Sequence, residues 1–554
     1  MNLYSRITLL LLCCFSLTLS AETDPNYRYY YRVSFSHKTT DSYSLQQPES
    51  YLSEIALQRR TQRGIAIDST DLPVSPQFLN GVKEALPGSR IRLTSRWLNS
   101  AVVESSLSEV SDSLFKLPFV SDVKLVFKEM IIGTTDRQPA KKIEETDKQI
   151  LEEVMANRSI SEVNYGYALE NLIMVNGLKL HEAGFRGKGM RIALLDAGFQ
   201  GVDRSQAFDS TRIIGTKNFS DPNASVYTVI DHGTRCLSII GGNQPERMIG
   251  TAPEADYYLI VTEYFPYEVP MEEDLWVAGA EYADSLGVDI ISSSLGYGAF
   301  DSGYSDKRAA SMLDGKSTFC SRGATMAVKK GILVVNCCGN EAQTAWKTIL
   351  SPSDAEDVLA VGAVDRDSIA GYFTSYGPSA DGRIKPEVAA LGVGIYAINQ
   401  YDNLIKTDGT SFSTPLIAGM AACLWQALPK LTNKELIKLI CDYSSLKEQP
   451  DNRLGYGIPN LFRSYQSGNG LASTKELNKI TIPQFYQSKE HLTVMMEESG
   501  CRITIFNMFG KVLVDERISD SRYQVQTSRW PAGIYLLRID KDESVTSYKL
   551  MIKE

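Results

Sequence analysis

The sequence predicts an α/β fold, a parallel sheet flanked by helices, with a small α+β unit ahead of it and a β-sandwich behind. Three observations predict it. In residues 164–467, apolar runs of strand length (190–196, 290–294, 332–336) alternate with helical stretches, as strand–helix–strand units require. In residues 22–130, strand-like and amphipathic helical stretches follow one another at shorter range. From residue 471 to 554 the helical period disappears, and alternating runs are broken by Gly and Pro turns. A chain of 554 residues has the length for several such domains.

At the N-terminus Arg6 precedes an apolar run over residues 7–19, and the small residues Ser20 and Ala21 follow. Length and polarity predict a secretory signal peptide over residues 1–21. The run is short for a bilayer, and no other segment reaches bilayer length, so no transmembrane helix is expected once the signal is removed. Leu12 before Cys13 is not the small residue that a lipoprotein signal carries. In the next unit, strands are expected at 29–35, 90–93, 101–103 and 122–127, and helices at 51–63, 76–85 and 107–115. Residues 131–163 are charged and helix-forming without a strong apolar face, and read as a linker.

The central segment carries the chemistry. Gly409-Thr410-Ser411-Phe412-Ser413-Thr414-Pro415 delivers a serine to the start of an apolar helix. A serine there is most often only a cap. A nucleophile at the same place gains an unpaired backbone N–H and a favourable helix dipole, both of use to an oxyanion. It also needs a base and a group to orient that base. The chain has four histidines. His37, His181 and His491 lie in stretches that predict surface or satisfied side chains. His232 stands apart, in Asp231-His232-Gly233-Thr234-Arg235-Cys236 at a second helix start. Asp196 ends the strand of residues 190–196, where open α/β sheets place their sites.

The order Asp, His, Ser is that of subtilisin. Asp196-Ala197-Gly198, His232-Gly233-Thr234 and the Gly409 to Pro415 run resemble the three signatures of subtilisin-like serine proteases. The resemblance extends over about residues 164–467. It implies a serine-type endopeptidase in which His232 is the general base for Ser411, Asp196 orients it, and Asn340 joins the Ser411 backbone N–H in the oxyanion hole. By the same resemblance, Ser294, Leu295 and Gly296 flank the substrate backbone, to which an extended peptide adds as a strand. Cys337, Cys338 and Gly339 line the pocket for the residue before the scissile bond, with a lean towards apolar side chains. Ala197 stands where Thr or Ser is usual, Phe412 and Ser413 where Met and Ala are usual, and Leu391 where Pro is usual. None of these removes a catalytic group. A lipase or esterase would carry Gly-x-Ser-x-Gly and the order Ser, Asp, His, and neither occurs. A non-catalytic binding protein on the same fold is disfavoured by the intact Asp, His, Ser and Asn. No cofactor is expected. Folds of this kind often hold structural calcium, but no loop here has a convincing ligand spacing.

The resemblance casts residues 22–130 as a propeptide that assists folding and blocks the cleft, with the maturation cut in the linker or just before it. In the C-terminal unit, residues 503–512, 530–539 and 548–553 resemble the sorting domain of type IX secretion. The partners implied are protein or peptide substrates, the chain's own propeptide and outer-membrane secretion machinery, at the surface of a bacterium or beyond it. A net charge of −9 without basic blocks argues against nucleic acid. Nine cysteines less the two in the signal leave seven, so at least one is unpaired. A bridge from Cys320 to Cys337 or Cys338 is one arrangement; buried free thiols are the favoured one.

Overall fold

The computed structural model describes residues 26–131, residues 165–470 apart from 229, 265–266, 302–303 and 305–307, and most of 484–552. The expected signal peptide and all but the first residue of the linker lie outside the described residues.

The N-terminal unit is an antiparallel sheet in the order β2-β3-β1-β4, built from β1 (Tyr27–Phe35), β2 (Arg90–Ser95), β3 (Ser100–Ser105) and β4 (Val120–Met130). Alternation along β1 decides which side chain goes where. Tyr29, Tyr31, Val33 and Phe35 pack with Phe78 and Val82 of α2 (Pro76–Ala85). Tyr30, on the opposite face, packs with Val102 and Phe127 against Val269, Met271 and Leu275 of the next domain. Two further helices are shorter than the sequence suggests: α1 is Glu54–Gln62, and α3 is a single turn, Ser111–Leu114.

The central domain is built on seven parallel strands: β5 (Arg191–Asp196), β6 (Arg212–Asn218), β7 (Asp256–Val261), β8 (Ile290–Ser293), β9 (Leu333–Cys337), β10 (Leu359–Val364) and β11 (Val388–Leu391). Their order is β11-β10-β9-β8-β5-β7-β6, with every pairing parallel. Helices cover both faces, which is why the strands read as unbroken apolar runs. Ile192 and Leu194 of β5 enter one core cluster, and Ala193 and Leu195 enter the other. On the first side lie α4 (His232–Gly241) and α7 (Thr410–Ala427); on the second lie α5 (Met271–Ser285) and α6 (Phe319–Lys329). From β5 the chain runs to one edge and then crosses to β8 on the other side, which makes the carboxyl end of β5 a switch point.

The C-terminal unit has a three-stranded and a four-stranded antiparallel sheet. Leu492 and Val494 of the first share one apolar core with Ile503, Ile505, Leu537 and Leu550 of the second. Among the described residues no helix is long and apolar enough to cross a membrane.

All seven described cysteines are buried, and Cys320 is not bridged to Cys337 or Cys338. Burial pushes these three thiols well up, Cys338 to about 12, which makes them inert apolar fillers.

Candidate active site

Asp196 is the last residue of β5, and its carboxylate is buried. Its Oδ1 accepts the Ala197 backbone N–H at 2.8 Å, so a main-chain donor serves this carboxylate where position 197 offers no hydroxyl. The same oxygen lies 2.7 Å from His232 Nδ1. His232 opens α4, beside the carboxyl end of β5. Burial works against a charge on its ring, but the neighbouring Asp196 outweighs it and holds the imidazole above its ordinary value of 6.5. Phe412 lies beside the ring, with centroids 5.6 Å apart.

Ser411 is the second residue of α7 and is 7% exposed. Its hydroxyl donates to the Ser294 carbonyl at 3.4 Å. Four residues on, Pro415 lacks the N–H that would close the helical bond to the Ser411 carbonyl. That carbonyl is served by side chains instead, Ser294 Oγ at 2.7 Å and Cys236 Sγ at 3.4 Å. The Ser411 turn is thus pinned to the end of β8 and to α4 because a proline frees its acceptor. Cys236 also brings its sulfur within 4.8 Å of the ligating atoms of Asp196 and His232. Its position one turn after His232 was the available signal for that placement.

Asn340 follows β9. Its carboxamide oxygen accepts both the backbone N–H and the hydroxyl of Thr410, each at 3.0 Å. With the oxygen so engaged, the NH₂ half of this exposed side chain is the half left for the cleft. Ser413 is fully buried and donates to the Thr410 carbonyl at 3.0 Å, an ordinary helix back-bond.

The expected pocket residues fall at the ends of β8 and β9. The Leu295 carbonyl accepts from Asn336 Nδ2 at 2.9 Å and Cys337 Sγ at 3.4 Å, which ties the two strand ends together. Cys338 turns its thiol to the Ser375 carbonyl at 3.3 Å, behind the surface. A residue not anticipated from the sequence, Leu350, stands among Gly296, Gly298 and Gly339. A Cβ on any of the three would come within 2.9 Å of its side chain. Only the folded chain brings these four together; the glycines were the one visible hint.

Of the other histidines, His181 is buried between the Tyr165 hydroxyl (3.1 Å) and the Thr251 carbonyl (3.0 Å), and burial pushes it down to about 4. His37 is exposed beside Ser36. Neither joins the site.

Three segments of the chain match known protein families. Residues 187–457 match the subtilase family, residues 30–145 the peptidase S8 propeptide domain of Bacteroidota, and residues 488–553 a secretion-system C-terminal sorting domain. The thermostable alkaline protease of Halalkalibacterium halodurans is 27% identical over 298 residues, 54% of this chain and 70% of that protein. Subtilisin DY of Bacillus licheniformis is 25% identical over 304 residues, 54% of this chain and 95% of that protein. Among solved structures, MycP1 from Mycobacterium smegmatis has 21% identity and a TM-score of 0.44, over 56% of this chain and 86% of that one.

Proposed function

We infer that the chain, a serine-type endopeptidase carrying a subtilase-family domain, hydrolyses peptide bonds through an acyl-enzyme on Ser411. The Asp196–His232 hydrogen bond of 2.7 Å carries this reading. With Nδ1–H held by the carboxylate, Nε2 is the nitrogen left to act as base. His232 takes the Ser411 proton as Oγ attacks the scissile carbonyl. The tetrahedral oxyanion is met by Asn340 Nδ2 and the Ser411 backbone N–H, both present before the charge develops. His232 then gives the proton to the leaving amine, and a water activated by the same imidazole releases the acyl group. With Leu350 filling the space between Gly296 and Gly339, the pocket favours a modest, uncharged side chain before the scissile bond.

The sorting domain indicates export, to the medium or to the cell surface. The signal peptide at 1–21 would carry the chain across the inner membrane, and the sorting domain across the outer one. Residues 22–130 act as the propeptide that assists folding and blocks the cleft.

The test pairs casein hydrolysis with a fluorophosphonate probe on the matured protein. Labelling at Ser411 is expected. Ser411→Ala should abolish labelling and cleavage, whereas Ser413→Ala, whose hydroxyl only closes a helical turn, should keep both. Matured protein that neither labels nor cleaves would overturn the reading.

A further inference from the structure

The N-terminal unit meets the central domain along α5, at both ends of that helix and, between them, where Ser95 Oγ and the Arg96 and Trp97 N–H groups donate to Glu281. One end carries the sheet face on the amino-terminal half of α5, already described. There the Phe127 and Tyr264 rings lie tilted with centroids 5.0 Å apart, and the Tyr304 hydroxyl accepts the Lys128 N–H at 3.4 Å. The other is the far end of α5. This helix has 15 residues, so its two ends are about 22 Å apart.

At that far end, residues 53–71 form an arm that includes α1. It covers the carboxyl ends of α5 and α6, where the helix dipoles favour cations and carbonyls at and just beyond the helix ends are open to side-chain donors. The arm supplies donors of that kind. Ser53 Oγ donates to the Ser285 carbonyl, Arg59 Nη1 to the Val288 carbonyl at 2.6 Å, and Arg63 Nη1 to the Gly331 carbonyl at 2.7 Å. Charges follow the same plan. Asp284 is fully buried between Arg59, Arg60 (2.6 Å) and Arg96 (3.1 Å). Arg63 pairs with Asp289 at 2.6 Å and lies over the Trp425 ring at 3.9 Å. In the reverse sense, Lys330 of the central domain reaches Asp71 of the arm at 2.9 Å. Shape agrees as well. Gly287 and Gly331 end the two helices with left-handed φ of 70° and 82°. A Cβ on Gly287 would lie 2.4 Å from Ile55, and one on Gly331 2.1 Å from Ile65.

We propose that this arm is a second anchor of the propeptide, independent of the cleft, which holds the severed propeptide on the mature domain by its grip on the carboxyl ends of α5 and α6. None of the arm's partners named here belongs to the catalytic set. Cutting the linker therefore leaves this contact whole, and release calls for a further cut in the arm or for loss of its charges. The inference rests on reading residues 22–130 as a propeptide, but not on catalysis by Ser411.

The test uses the full chain with Ser411→Ala, so that it cannot process itself, and a recognition site for a sequence-specific protease within residues 133–159. After that site is cut, size-exclusion chromatography follows how long the propeptide stays bound. It should co-elute with the rest of the chain. Arg59→Ala with Arg63→Ala should speed its release by a factor on the order of 10², because Asp284 and Asp289 lose buried or half-buried partners. Ile65→Asp leaves the existing pairs in place and sets a carboxylate against the end of α6, and should speed release about tenfold. If the arginine variant does not fold, Ile65→Asp decides. Release at the unaltered rate in the arm variants, or immediate loss of the unaltered propeptide once the linker is cut, would overturn the proposal. A failed labelling at Ser411 would leave this result untouched.

Discussion

His232 lies under two opposing pressures, and their balance sets a pH dependence. Burial disfavours its charged form, and Asp196 at 2.7 Å favours it more strongly, so the ring titrates above its ordinary value. The base must be neutral to accept the Ser411 proton. Activity should therefore be full above the His232 pKa and fall as pH drops through it, with the acid limb of kcat/KM above 6.5. A limb below that value would contradict the coupling. Asp196→Asn removes the charge and the tautomer control, and should lower kcat by about 10⁴-fold. Asn340 makes a different demand. Thr410 fixes its orientation through the carboxamide oxygen, so Asn340→Ala should lower kcat by about 10²- to 10³-fold with KM little changed, the scale seen for the oxyanion donor of subtilisin. A rise in KM alone would mean that the side chain only binds substrate.

At the scale of elements, α7 shows how a helix rule and its breach make a site. The helix is buried through Trp425, and its apolar character was evident from the residues alone. Pro415 frees the Ser411 carbonyl, and Ser294 and Cys236 take it up. The proline was legible in the chain; its takers were not, because they lie more than 100 residues away. The turn from β7 into α5 holds a second balance. Glu263 bonds the Tyr297 hydroxyl at 2.6 Å, and Glu272 accepts the Tyr264 and Val269 N–H groups at 2.9 Å each. Burial and the neighbouring Glu268 push Glu272 up to about 8, and burial and Glu272 push Glu263 the same way. A raised folded-state pKa means that the protonated form suits the fold. Stability is thus full below the ordinary glutamate range and is lost as pH climbs through about 8. Glu263→Gln keeps the acceptor for Tyr297 and removes one charge. Its Tm should fall less between about pH 6 and pH 9 than that of the unaltered chain. Equal slopes would show that the two carboxyls do not interact.

At the scale of the whole molecule, the junction between the propeptide and the central domain depends on buried charge. Arg32 and Asp274 form a two-pronged pair, almost wholly buried, with Arg32 Nε on Oδ1 at 2.6 Å. Asp274→Ala in a Ser411→Ala precursor removes the carboxylate that faces this buried arginine. It should cost roughly 3–5 kcal/mol in chemical unfolding. In the mature domain, freed of its propeptide, the same carboxylate faces water, and the change should cost less than about 1 kcal/mol. Equal losses in both forms would place the role of Asp274 within α5 rather than at the junction.

The sequence by itself determined which residues form the candidate site and the layered α/β core. Asp196, His232 and Ser411 sit at strand ends and helix starts whose signatures are short and local, and an unbroken apolar strand announces burial on both faces. Only the tertiary structure decided that Leu350 stands against Gly296, Gly298 and Gly339, which side chains satisfy the Ser411 carbonyl, and which helix ends residues 53–71 cover. The reason is physical. A motif encodes bonds between near neighbours, whereas these contacts join groups far apart in the chain, as with Arg59 and Val288, 229 positions apart. No period or spacing along a chain records which distant carbonyl a buried arginine will meet.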